Sequence, residues 1–381
     1  MRILLSDNGL HLRFAPLTLT RPVGNLRMGI LTNDERWKQF IPAANIFFET
    51  EDYLQNKFKG TDKFDIKINA NIIPNQEIVT QVLSLKNNTR LICEGISIAE
   101  KGNTIKEDIE FSGELPVILN HRWELYQLNG RVLADDFELL TKERESQIIS
   151  SSNTIIGDSS LIFLEEGASV EACILNTKSG PIYIGKNAEI MEGSVVRGPL
   201  ALCESAGLKL GTKVYGPTTL GPHCKVGGEV NNVIFQAYSN KGHDGFIGNA
   251  VIGEWCNLGA DTNSSNLKNN YSNVKAYSYE TDQMENTDVQ FMGLMMGDHS
   301  KCGINTMFNT ATVVGVSANI YGGDFPSKKI DSFSWGGPNH RIVDFQLEKA
   351  VEAAKAMMER RNVPFTEADK EIFEFLSQHN R

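Results

Sequence analysis

The sequence predicts an α/β domain, then a left-handed parallel β-helix of hexapeptide repeats, then a pair of C-terminal helices. Three observations predict it. Every sixth residue from Ile184 to Val226 is aliphatic: Ile184, Ile190, Val196, Leu202, Leu208, Val214, Leu220 and Val226. The residue four places after each is mostly small, as in Ala188, Ser194, Ala206, Thr212, Thr218 and Cys224. The period is absent before residue 150 and gives way to helical spacing after residue 340.

A period of six fits neither a helix nor simple strand alternation, and it marks a coil of short strands. With 41% apolar residues, eight apolar hits in one phase have a chance of about one in a thousand. The pattern returns at Met296, Cys302, Phe308, Val314 and Ile320. Weaker pieces stand at Ile156, Leu164, Val170, Ile252 and Leu258. Each aliphatic residue points inward and stacks on its equivalents, and the small residue sits where the chain turns a corner. A coil buries its core only against its neighbours, so its ends need caps.

The first 150 residues alternate strand-like and helix-like pieces, which indicates an α/β sandwich. Residues 2–5, 46–48, 66–68, 90–98 and 115–119 read as strands. Residues 33–40, with Asn33 as N-cap, and residues 123–128 and 137–144 read as helices. The polar stretch 146–153 marks the boundary, so the domains are 1–150, 151–325 and 340–381. The coil phase breaks at 231–244 and 266–289, and loops that interrupt a compact coil tend to carry function. In the tail, Val343, Leu347, Ala350, Val351, Ala354 and Met358 follow helical spacing. Pro364 ends that helix, and Thr366 with Asp369 caps a second over residues 367–378. These helices are expected to pack on the coil or on a neighbouring subunit.

The 381 residues carry a net charge of −10, which argues against a nucleic-acid binder, whose footprint is basic. The six cysteines (Cys93, Cys173, Cys203, Cys224, Cys256, Cys302) form no CxxC pair and read as core residues in a reducing compartment. No signal peptide and no membrane span are expected. The expectation is a soluble cytoplasmic protein.

The segment Arg13-Phe14-Ala15-Pro16-Leu17-Thr18-Leu19-Thr20-Arg21-Pro22 resembles the start of sugar-nucleotide nucleotidyltransferases, where a Gly-rich turn precedes R-x-x-P-L-T…P-K. The resemblance implies a shortened domain of that kind, with Arg13, Arg21 and Arg27 on a nucleotide such as UTP. It would use Mg²⁺ if active. Three features depart from the pattern. Ser6-Asp7-Asn8-Gly9-Leu10-His11-Leu12 replaces the glycine-rich turn, Val23 replaces the lysine, and Asn71 stands where an acid would hold Mg²⁺. A neutral amide is a poorer Mg²⁺ ligand than a carboxylate.

The segment Lys241-Gly242-His243-Asp244-Gly245-Phe246-Ile247-Gly248 is followed by Asn257-Leu258-Gly259-Ala260 and Asn266. This resembles the acetyltransferase half of the bifunctional bacterial enzymes that make UDP-N-acetylglucosamine. Residues 21–32, Asn69-Ala70-Asn71-Ile72-Ile73-Pro74 and the His243 segment match a shortened branch of that family found in Bacteroidetes-type bacteria. The resemblance implies acetyl transfer from acetyl-CoA to the amine of glucosamine-1-phosphate, with a linked sugar-1-phosphate nucleotidylyltransferase. His243 would be the base, with Asn257, Asn266, Lys241 and Glu229 on the substrate. Ala260, Gly303 and Asn305 would lie on acetyl-CoA. Coils of this kind are expected to be homotrimers with the site in the cleft between copies. No resident metal is expected.

Imidazole chemistry suits the task. A sugar amine is largely ammonium near neutral pH, and a base must take its proton as it attacks the thioester. Backbone amides at a coil corner can hold the oxyanion. The resemblance implies a coil arginine and lysine upstream of His243 on the sugar phosphate; Lys241, Lys225 and Arg197 are candidates by position, and Tyr215 stands near the expected arginine. Two alternatives remain open from the sequence. One is a non-enzymatic regulatory subunit with similar domains. The other is a metal-dependent hydratase of the γ-carbonic-anhydrase type, which needs converging histidines; here the coil offers His223, His243 and His299.

Overall fold

The computed structural model describes residues 1–379. Its first part is a six-stranded sheet in the order Asn45–Glu49, Arg2–Ser6, Ile66–Asn69, Ile96–Lys101, Thr89–Cys93, Glu107–Glu110. The first three strands are parallel, and Ile96–Lys101 runs antiparallel to its neighbours. The helices Asn33–Phe40, Gln76–Ser84 and Asn129–Thr141 cover the sheet and its flank. Gln76–Ser84 has no counterpart in the sequence reading. It is a short amphipathic segment whose N-cap, Asn75, accepts from Ile78 N. The N-cap of the first helix is Thr32, one residue earlier than expected. Thr32 and Glu35 form a capping box, and Asn33 instead donates to the carbonyls of Ala70 and Ile72.

The second part is a left-handed parallel β-helix. Its strands run from Thr154–Ile156 to Ser334–Gly337, each pairing in parallel with its equivalent in the next coil. The hexad aliphatics form one buried stack that includes Ile184, Ile190, Val196, Leu202, Leu208, Val214, Leu220 and Val226. The small corner residues do more than avoid bulk. Ser194, Thr212, Thr262, Thr306 and Thr312 each donate a hydroxyl to the carbonyl three residues back, at 2.6 to 2.9 Å. Each corner thereby satisfies a carbonyl that strand pairing leaves over.

The breaks in phase differ in kind. Residues 231–237 belong to a continuous nine-residue strand, Glu229–Ala237, which pairs with Phe246–Glu254 across two faces of the coil. The second break is an arm. It holds the antiparallel hairpin Lys275–Ser278 and Gln283–Asn286, and it buries Val274, Ala276, Tyr277 and Tyr279 against the first domain of the same chain.

The domains share one core. Ile234, Val251, Met295 and Val313 of the coil join the sheet residues, the arm and the C-terminal helices in one cluster. The helix Leu347–Glu359 starts four residues after Val343, which lies in the strand His340–Asp344. The last helix, Glu367–His379, wedges between the first domain and the coil. Phe375 stacks on Tyr53 at 4.1 Å, Phe373 meets His299 edge-on, and Lys57 pairs with Asp369 at 2.8 Å. Thr366 and Asp369 cap it reciprocally.

Candidate active site

His243 sits on the tight loop between the strands Asn240–Lys241 and Phe246–Glu254. Its ring is exposed. It opens on a cavity of about 630 Å³ lined by Lys209, Leu210, Gly242, Asp244, Ala260 and Asp261, among others. Corners of successive coils stack here: Asp261 N donates to Asp244 O at 3.0 Å, and Asn305 N donates to Ala260 O at 2.8 Å. Gly245 closes the loop at φ +111°, where a Cβ would overlap Thr262 O. Only glycine fits there.

Lys241 holds this loop from inside. In the parallel register it takes the place of an inward aliphatic residue, opposite Val226, and it has no solvent exposure. Its ammonium donates to the carbonyls of Gly227 (2.9 Å), His243 (2.7 Å) and Asp244 (3.1 Å). Burial pushes its pKa down to about 8, against the opposing pull of Asp244 and Asp261. Lys241, expected from the sequence on the substrate, faces the coil interior. Its three donors are spent on backbone, and its role is to fix the peptide that carries His243.

The other residues singled out in the sequence fall into four places. Ala260 lines the His243 cavity, with Gly303 and Asn305 one coil further on. Asn257 is exposed on an adjoining face and lines a separate cavity of about 220 Å³ with Tyr238, Asn240, Trp255 and the end of the helix Leu347–Glu359. Asn266 turns away to donate to Asn249 at 2.7 Å. Glu229 lies beside Phe246 in register and 3.9 Å from Lys213. Within one chain, His243, Asn257 and Asn266 therefore do not share a cavity.

The N-terminal arginines, expected from the sequence on a nucleotide, have partners within the chain. Arg21 is buried between Glu254 (2.6 Å) and Asp298 of the coil. Burial opposes its charge, but the two carboxylates outweigh burial and hold the guanidinium firmly protonated. Arg27 is buried against Ile30 O and Glu35. Arg13 pairs with Glu280 of the arm at 2.9 Å. Asn71 is buried and donates to Leu119 O. No group of three His, Cys, Asp or Glu converges among the described residues, and the neutral amide of Asn71 is a poorer Mg²⁺ ligand than a carboxylate. His223 and His299 stand at another corner from His243, in a stack with Tyr238 and Trp255, which is no tri-histidine metal site. No helix among the described residues is long and apolar enough to cross a membrane.

Residues 3–145 match the family described as sugar nucleotidyl transferase. The chain is 23% identical over 154 residues to the bifunctional protein GlmU of Trichodesmium erythraeum, a match covering 40% of this chain and 28% of that protein. It is 20% identical over 219 residues to the putative uncharacterized acetyltransferase YaiX of Escherichia coli K12, covering 56% of this chain and 85% of that one. Among solved structures, the polysialic-acid-specific acetyltransferase NeuO aligns with a TM-score of 0.31 at 10% identity, over 55% of this chain and 94% of that one. The Arabidopsis UDP-N-acetylglucosamine acyltransferase aligns with a TM-score of 0.31 at 13% identity, over 56% and 75%. The chain thus combines a hexapeptide coil with a sugar nucleotidyl transferase-like domain.

Proposed function

We propose that the protein is a transferase that moves an acetyl group from acetyl-CoA to the amine of an amino-sugar phosphate such as glucosamine-1-phosphate. One observation carries the reading: an exposed histidine at the mouth of a large corner cavity, on a loop fixed by a buried lysine. The amine nitrogen attacks the thioester carbonyl while His243 takes its proton. The tetrahedral oxyanion collapses, the C–S bond breaks, and the departing sulfur takes the proton back from the imidazole. The N–H groups of Asp244 and Ala260 donate to no other group among the described residues and are available for the oxyanion. In this reading Gly303 and Asn305 extend the His243 corner and Asn257 faces the adjoining cavity of the same chain, while Asn266 and Glu229 contact substrate across a cleft between copies. Leu210, 68% exposed, and Ile304, 71% exposed, flank the same corner and support a covering neighbour in a homotrimer.

The first domain serves in this reading as a wall packed on the coil rather than as a working nucleotidyl transferase. Burial of Arg21 and Arg27 supports that. The deciding experiment is acetyl-CoA turnover with glucosamine-1-phosphate. His243→Ala should lower kcat by about 10²-fold or more, with thermal stability unchanged because the ring is exposed. Turnover at the wild-type rate in that variant rejects His243 as the base.

A further inference from the structure

Beyond the His243 corner, the coil carries a second constellation. At one corner four aromatic residues of successive coils stack: His223 on Tyr238 at 4.9 Å, Tyr238 on Trp255 at 4.0 Å, and Trp255 on His299 at 6.2 Å. All four have left-handed backbone, with φ between +54° and +60°. Bulky residues rarely adopt that conformation, and it persists where the surroundings hold it in place. Two of the rings, Tyr238 and Trp255, line the cavity beside the ladder.

Beside this ladder lies the 220 Å³ cavity. Asn240 and Asn257 stand there in adjacent rungs of one face. Arg360 and Arg361, just past the end of the helix Leu347–Glu359, close the other side. Neither guanidinium makes an ion pair or side-chain hydrogen bond among the described residues, in a chain whose net charge is −10. Lys225 stands one rung from Asn240. Burial first, then Lys209 and Arg361, push its ammonium down. Burial and then Arg361 do the same to His223. The acids that face these groups are Glu204, Glu189 and Glu254, and Glu254 is already paired with Arg21. Two guanidinium forks and two neutral amide donors together match a phosphate group in shape and charge.

We propose that this cavity binds the phosphate of a ligand whose other end reaches His243. That the ligand's other end reaches His243 rests on the acetyl-transfer reading; the phosphate site itself does not. Asn240 lies three positions before His243, a strand distance of about 10 Å. Between them the surface has no side chain at Gly242, where a Cβ would meet nothing within 4 Å. The phosphate belongs either to the acyl donor or to the sugar acceptor, and the test separates the two.

The measurement is equilibrium binding by calorimetry to the full-length protein. The probes are coenzyme A with pantetheine as its phosphate-free counterpart, and glucosamine-1-phosphate with glucosamine. The Arg360→Gln/Arg361→Gln variant should weaken one phosphate-bearing probe by about tenfold or more, leaving its phosphate-free counterpart unchanged. A loss confined to coenzyme A assigns the donor's phosphates to the cavity, and a loss confined to the sugar phosphate assigns the acceptor's. Cations at a helix C-terminus also offset its dipole. The Arg360→Lys/Arg361→Lys variant keeps that charge, and its melting temperature should match wild type while the phosphate affinity stays reduced. Unchanged affinities for both phosphate probes in the glutamine variant overturn the proposal, as does wild-type protein that binds neither. Acetyl turnover in the His243 variant is a separate readout, so failure of one reading does not carry the other.

Discussion

Replacing Lys241 by methionine tests whether the His243 loop is held from the coil interior. The side chain is fully buried and similar in length to methionine, so the core stays filled. The ammonium satisfies three carbonyls. Asp244 O keeps a second donor, Asp261 N, so the substitution orphans Gly227 O and His243 O. Two unsatisfied carbonyls cost about 2–6 kcal/mol. Against that, the buried charge is relieved. A lysine lowered from 10.5 to about 8 gives up about 3 kcal/mol at neutral pH. The net is a destabilisation of about 3 kcal/mol or less, a shift of a few degrees in Tm. A His243 peptide displaced by about 1 Å costs about 10²-fold in kcat/KM. Calorimetry and acetyl-transfer kinetics on Lys241→Met measure both. The pH dependence adds a second check. Between pH 8 and 10.5 the unfolded chain binds the proton that folded Lys241 has lost, so this group makes stability rise with pH across that window. Activity should fall over the same window, because a neutral amine has only two donors for three carbonyls. The methionine variant should lose both slopes. Wild-type kcat/KM in that variant refutes the reasoning.

Arg21→Met leaves Asp298 and Glu254 without their buried cation and should cost about 3–5 kcal/mol, read as faster proteolytic cutting within residues 142–153. Gly242→Ala adds a methyl to open space and should keep the wild-type Tm while raising KM for a ligand crossing it by about tenfold. Gly221→Ala places a Cβ on Gln236 O and should destabilise by about 3 kcal/mol or more, so the two glycines separate function from packing. Purified protein given UTP, Mg²⁺ and N-acetylglucosamine-1-phosphate should release no pyrophosphate above background; steady release would reinstate a working first domain.

The coil was legible because it is local. Each hexad repeats one physical demand, an inward aliphatic and a tight corner, and a period needs no knowledge of distant residues. The last helix was legible for the same reason, since Thr366 and Asp369 satisfy each other within one turn. His243 was placed by its spacing to Asn257 and Asn266, yet spacing along a coil does not say which face a residue meets. Residues 257 and 266 lie on other faces than the His243 corner, and only the closed coil decides that. Lys241 read as a phosphate candidate from its position just upstream of His243; that it fills an inward slot follows from strand register. Arg21 read as a nucleotide ligand because its partners, Glu254 and Asp298, lie more than two hundred residues away. The sequence by itself determined the coil, its corners and the catalytic candidate, since these depend on short-range periodicity and turn geometry. The tertiary structure decided which cations are free, because a charge is available to a ligand only where no distant carboxylate or carbonyl already holds it.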